Sequence, residues 1–199
     1  MSDQRVKLKN VRLAFGDGIF RAKAAEEGGK LAYNCCFLFP PNHPDLPKIK
    51  AAMRAAAAAK WGATGDDTLK MLVAGDRVCL RKGDAKAEYD GFPGNLYISA
   101  RNKARPLVVD ADGTTPLTEA DGRPYSGCFV NASIDIWAQQ NKHGKRINAA
   151  LRGVQFFRDG DSFGGGAPAT PDEFDDVSAD AADGDAPAEG DDGAFGDFI

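Results

Sequence analysis

No lysine or arginine follows Arg158 in this chain of 199 residues, yet 12 of its 29 acidic residues lie from Asp161 onward. The part before Asp161 therefore holds 25 basic and 17 acidic residues, a net of +8, and the rest carries −12. A basic body joined to an acidic end implies a polyanionic ligand, with a tail able to compete for the same surface. Long apolar runs are also missing, which excludes a membrane-spanning helix, and Met1-Ser2-Asp3-Gln4-Arg5 lacks the apolar core of a secretory signal. Cysteine is scarce: Cys35, Cys36, Cys79 and Cys128 form no C-x-x-C pair. Three of them lie in apolar or alternating segments, and the four are expected to be buried and reduced rather than zinc-bound or disulfide-linked.

Enzyme signatures are equally thin. The two histidines, His43 in Asn-His-Pro and His143 in Lys-His-Gly, sit in turn contexts that do not favour a metal site. Asp84, Glu88 and Asp90 offer an acidic cluster for a two-metal nuclease, but lysines crowd the segment and no histidine supports it. Asp110-Ala111-Asp112-Gly113 has the wrong ligand spacing for an EF-hand and reads as a turn-rich loop. Ser126 and Cys128 have no histidine partner nearby in sequence, and there is no G-x-x-x-x-G-K-[ST] to bind a nucleotide triphosphate. No cofactor is expected.

What is present is mostly strand. Val6 and Leu8 alternate with Lys7 and Lys9, Asn10 breaks the phase, and Val11, Leu13 and Phe15 resume it, the pattern of a bulged strand. Leu31 to Phe39 is a second strand, ended by Pro40-Pro41. Alanine-rich 45–61 is the clear helix, with Ile49, Met53 and Ala56 on one face, and 66–73 a short second one with Leu69 and Leu72 inward. Strands are expected over 77–81, 95–101, 107–110, 128–140 and 145–157. Across the Asn141–Gly144 turn the last two pair Gln140 with Lys145, which puts Ala138–Ile147, Ile136–Ala149 and Ile134–Leu151 on one apolar face. Trp137–Asn148 and Gln139–Arg146 then share the other face, and a kink is expected at Gly153. Strands of this length around Gly-rich corners, with one or two inserted helices, predict a mainly β fold, an OB-like Greek-key barrel over residues 1–163. From Gly164 the composition turns to Gly, Ala, Pro, Asp and Glu, so residues 164–199 are expected to form a disordered acidic tail.

Aromatic and basic residues interleave in the body. Tyr89, Phe92 and Tyr97 lie close in sequence to Arg81, Lys82, Arg101, Lys103 and Arg105, and Trp137 shares its outward face with Arg146 and, past the kink, Arg152. Flat rings that stack bases beside cations that follow phosphates are what sequence-tolerant binding of single strands requires. If Leu96, Ile98 and Ala100 face the core, Tyr97 and Arg101 face solvent together. For any single aromatic a place in the core is the competing reading, and alternation favours the surface for Trp137 and Tyr97.

Three long motifs, Gly91–Pro106, Tyr125–Ser133 and Gly153–Gly160, resemble a phage family long catalogued as a domain of unknown function, whose members include single-stranded-DNA-binding proteins. The resemblance spans most of residues 5–163. It implies an OB-fold, a non-enzymatic role in replication or recombination, and a place in the cytoplasm of a bacterial host. The tail is similar in kind to those of bacterial and T7-type single-strand binders, although here the last aromatic is penultimate, Phe198 before Ile199. It is expected to occupy the basic surface when DNA is absent, and to dock Phe195, Phe198 and Ile199 on replication or recombination proteins once displaced. A homodimer stays open. A metal-dependent nuclease and a structural or DNA-mimicking protein are the alternatives.

Overall fold

A computed structural model describes residues 4–24 and 29–164; the expected tail beyond Gly164, with Phe195, Phe198 and Ile199, lies outside the described residues. Within them the elements run β1 (Arg5–Ala14), β2 (Tyr33–Phe39), α1 (Leu46–Trp61), α2 (Gly65–Ala74), β3 (Leu80–Lys82), β4 (Leu96–Asn102), β5 (Leu107–Val109), β6 (Phe129–Asn141) and β7 (Gly144–Arg158). The expected elements all appear, with the third strand shortened: 77–79 precede it outside any strand.

β1 pairs antiparallel with β2 and with β6, β2 with β4, and β6 with β7. β4 and β7 meet in parallel at Ala100 and Ala149, which completes a ring of five strands in the order β1-β2-β4-β7-β6. This is the OB barrel that the strand pattern predicted. β3 adds to β4 and β5 to β7, and the two helices are inserted between β2 and β3 in the chain. α1 lies against β1 and β6. Its buried face is Ile49, Ala52, Met53, Ala56 and Ala57. The alanines give high helix propensity and let the backbone approach the barrel closely.

The phase break in β1 has a visible cause. Asn10 takes φ 51°, a bulge falls between Leu8 and Val11, and Val6, Leu8, Val11 and Leu13 all point into the core. The bulge is tied to the start of α1. Asp45 accepts the Lys9 N–H at 2.9 Å and the Lys48 ammonium at 2.8 Å, and the His43 ring lies 3.0 Å from the Lys9 carbonyl. Burial works against the Asp45 carboxylate, but the hydrogen bonds from Lys48 and the Lys9 N–H outweigh it and hold its pKa below the usual aspartate range.

The β6–β7 hairpin has the register that alternation dictated, from Gln140 opposite Lys145 to Ile134 opposite Leu151. Ile134, Ile136, Ile147, Ala149 and Leu151 are buried. A bulge then shifts the register so that Ser133 faces Gly153, at the expected kink, and leaves Arg152 outside. All four cysteines are buried and free, as expected.

One expectation fails in an instructive way. Ile98 and Ala100 enter the core and Tyr97 points to the other face of β4, yet Tyr97 is only 2% exposed. It belongs to a second apolar cluster with Ala14, Cys36, Leu38 and Phe92, and Phe92 is 0% exposed. The segment between β3 and β4 folds back over the sheet and covers that face. Gly83 permits this, since a Cβ there would stand 1.9 Å from the Phe92 carbonyl oxygen.

Candidate nucleic-acid interface

Beside the covered patch the sheet stays open. A groove of ≈ 690 Å³ runs over β4, β6 and β7 toward the hairpin tip, walled on one side by residues 30–32. Arg81, Arg101, Lys103 and Arg146 line it, joined by Lys30. Trp137 stands in its wall, 42% exposed. No carboxylate is among the described residues that line it. Its floor includes Cys79, whose thiol burial pushes up to about 12, so it adds no negative charge at neutral pH.

The polar residues of the groove are held in place by hydrogen bonds to their neighbours. Arg101 donates to the Lys30 carbonyl at 2.6 Å, fixing the 30–32 wall to β4, and Arg81 donates to the Val78 carbonyl at 2.9 Å. Asn102 reaches the Leu151 carbonyl at 2.8 Å across the β4–β7 join, and Asn148 donates to Gln139 at 2.8 Å beside the indole. Arg77 donates to the His143 carbonyl at 2.7 Å and so pins the hairpin tip. With one ring free, four cations expected from sequence and an apolar floor, the groove can stack a base and neutralise phosphates.

The other expected residues stand elsewhere. Lys82 and Arg105 are exposed but do not line the groove, and Arg152 is paired with Asp135 at 2.6 Å. Tyr89 is 43% exposed at the rim of the covered cluster, 5.3 Å from the Phe15 ring. Phe92 and Tyr97 lie beneath. The Lys86 ammonium stands 5.5–5.7 Å from the centroids of Phe15, Tyr89, Phe92 and Tyr97, a cation enclosed by four rings. Lys30, Ser99 and Asn102 line the groove without having been anticipated. Ser99 was within reach, since it shares the outward phase of Tyr97 and Arg101; no sequence signal marks Lys30.

Four of the acidic residues weighed for chemistry, Asp84, Asp90, Asp110 and Asp112, have structural partners. Asp84 accepts the Gly94 N–H and Asp90 the Gly164 N–H, so the two brace loops. Asp112 accepts the Thr114 and Thr115 N–H groups and Asp110 pairs with Arg123, as in an ordered turn. Among the described residues no three His, Cys, Asp or Glu side chains converge to hold a metal.

Barrel order and groove together define the class: an OB-fold protein with a cationic, ring-bearing groove. The chain belongs to the family of the single-stranded-DNA-binding protein of Enterobacter phage Enc34, whose family model matches residues 4–186. Putative protein p50 of Acyrthosiphon pisum secondary endosymbiont phage 1 is 48% identical over 177 residues, 87% of this chain and 94% of its own. The Enc34 protein solved in complex with single-stranded DNA is similar at 27% identity and TM-score 0.68, covering 81% of this chain and 90% of that one. The single-stranded-DNA-binding protein gp2.5 of bacteriophage T7 shares the fold at 12% identity and TM-score 0.52, covering 94% of this chain and 98% of its own. The family is non-enzymatic.

Proposed function

We propose that this chain coats single-stranded DNA during phage replication or recombination, inside the infected host cell, with little sequence preference. The observation that carries the reading is the exposed Trp137 in a groove with Arg81, Arg101, Lys103 and Arg146 and no described carboxylate. Bases stack on the indole, at about 1–3 kcal/mol each, while phosphates follow the cations. Lys82, Arg105 and Arg152 add positive charge outside the groove, Tyr89 offers an exposed ring at the rim of the neighbouring cluster, and Phe92 and Tyr97 hold that cluster together. The DNA-bound state of the related Enc34 protein supports the ligand assignment.

In this reading residues 1–163 form the binding domain and residues 164–199 the regulatory tail. The tail's 11 carboxylates, from Asp172 onward, compete with DNA for the groove. Each contact is screened within roughly 8–10 Å at physiological salt, so a strand displaces them and frees Phe195, Phe198 and Ile199 for a replication partner.

A gel shift with an oligonucleotide, with and without magnesium, tests the function. Retardation without cleavage is expected, with affinity falling on a log–log salt plot by about 0.7 per neutralised phosphate. Magnesium-dependent cleavage would make the chain a nuclease, and neither effect would leave a structural role.

A further inference from the structure

The groove does not stop at Trp137. Its far lining residue on β7, Ala150, stands opposite Asp135 of β6. On that outer face Asp135 holds two guanidiniums, Arg5 Nε at 2.7 Å and Arg152 Nε at 2.6 Å. One carboxylate between two cations leaves the trio a net +1, with N–H donors to spare on each guanidinium. The next step along β6 is Ser133, which faces Gly153 of β7 on one side and Lys7 of β1 on the other. Here a recess of ≈ 270 Å³ opens between β1, β5, β6 and β7.

Lys7 and Lys9 edge that recess and have no acidic partner among the described residues. Leu107, 64% exposed, and Val109 line it from β5. Gly153 keeps it shallow-walled, with no side chain to fill it. Its two amides are already engaged: Asn131 donates to Gln155 at 3.1 Å and Gln155 to the Ala111 carbonyl at 3.0 Å. Apolar surface and positive charge are what it offers, rather than free donors to read a base edge.

Resting on the proposed coating function, we propose that the outer face of β6 is a second stretch of the single-strand track. Arg5 and Arg152 receive the phosphates that leave the groove, and the recess takes a further nucleotide, its base against Leu107 and its phosphates on Lys7 and Lys9. Charge complementarity and continuity with the groove commit the site to the same strand. From Asn148 to Gln155 the extension adds roughly 24 Å at about 3.4 Å per residue, so it matters only to strands long enough to reach it.

Oligo-dT of about 6 and about 16 nucleotides, spanning the usual range of OB-fold site sizes, separates the two stretches in the full-length protein. The double variant Lys7→Ala/Lys9→Ala changes two exposed side chains and should melt like the parent. It should bind the short strand as the parent does and the long strand roughly tenfold more weakly at low salt, with a slope shallower by about 1.4, the value for two phosphates. Lys7→Arg/Lys9→Arg should restore long-strand binding. Unchanged affinity for both lengths would overturn the extension, and equal weakening of both would make the recess the primary site. Tighter binding at both lengths would show that the acidic tail sits there. Arg101→Ala/Arg146→Ala tests the groove separately: unchanged short-strand affinity in that variant sinks the groove reading whatever Lys7 and Lys9 do.

Discussion

Trp137 and Tyr97 both occupy outward positions on the barrel, and their surroundings give them opposite roles. Trp137 projects into an open groove, so Trp137→Ala should weaken oligo-dT binding by about 1–3 kcal/mol and leave the melting temperature near that of the parent. Tyr97 is packed under Phe92, their centroids 5.2 Å apart, with Lys86 over both rings. Tyr97→Ala should therefore destabilise the fold by roughly 3–5 kcal/mol, as large aromatic deletions do, seen as an early urea transition. If Tyr97→Ala melts normally and loses DNA instead, the covered cluster is not structural. Asp135 makes a further residue-scale case. The Arg5 hydrogen bond, with Arg152 behind it, holds its pKa below the ordinary aspartate value. A lowered folded pKa means stabilisation that is present above the usual aspartate value of about 3.9 and is lost as pH falls through the folded value. Asp135→Asn should thus cost about 0.5–1 kcal/mol near neutrality and nothing in acid, where parent and variant urea curves converge. A constant difference across pH would assign the effect to packing.

Elements whose partners are near in sequence were readable before the fold was known. The β6–β7 hairpin was legible to the residue because alternation and a four-residue turn constrain each other. The bulge at Asn10 was legible as a break in phase, and α1 as an alanine-rich amphipathic run. The phase of β4 was legible as well, but not what covers it. Whether an outward tyrosine meets water depends on the 83–95 segment returning over the sheet, and that return turns on a backbone contact at Gly83. The same limit divides the site residues. Arg81, Arg101, Arg146 and Trp137 converge because neighbouring strands carry them to one face, and Lys103 joins them from the first position past β4. Lys82 and Arg105 are their sequence neighbours, yet Lys82, one residue beyond Arg81, and Arg105, two beyond Lys103, both lie outside the groove. Lys30 enters through a wall set by the Arg101 hydrogen bond, a contact over 71 positions that no local pattern encodes.

At the scale of the whole molecule, the separation of +8 from −12 makes salt the natural control variable. Deleting residues 164–199 should tighten single-strand binding at low salt, with the gain shrinking as salt rises; equal affinity at every salt concentration would remove the tail from the groove. The barrel itself has an uneven circumference. Each other pair of strands in the sheet is matched at three or more positions, but β4 and β7 are joined in parallel at Ala100 and Ala149 alone. That seam runs beneath the groove, with Ser99 and Arg101 on one lip and Asn148 and Ala150 on the other. A strand lying across it acts as a suture. Binding at a hundredfold excess over Kd adds about 2.7 kcal/mol to global stability, but the suture has a local signature too. Amide exchange should slow more along 98–102 and 147–151 than in α1 or α2, and uniform slowing would place the strand away from the seam. DNA would then fasten the barrel at its most sparsely laced join, so that each molecule in the coat is harder to open than the same molecule free in solution.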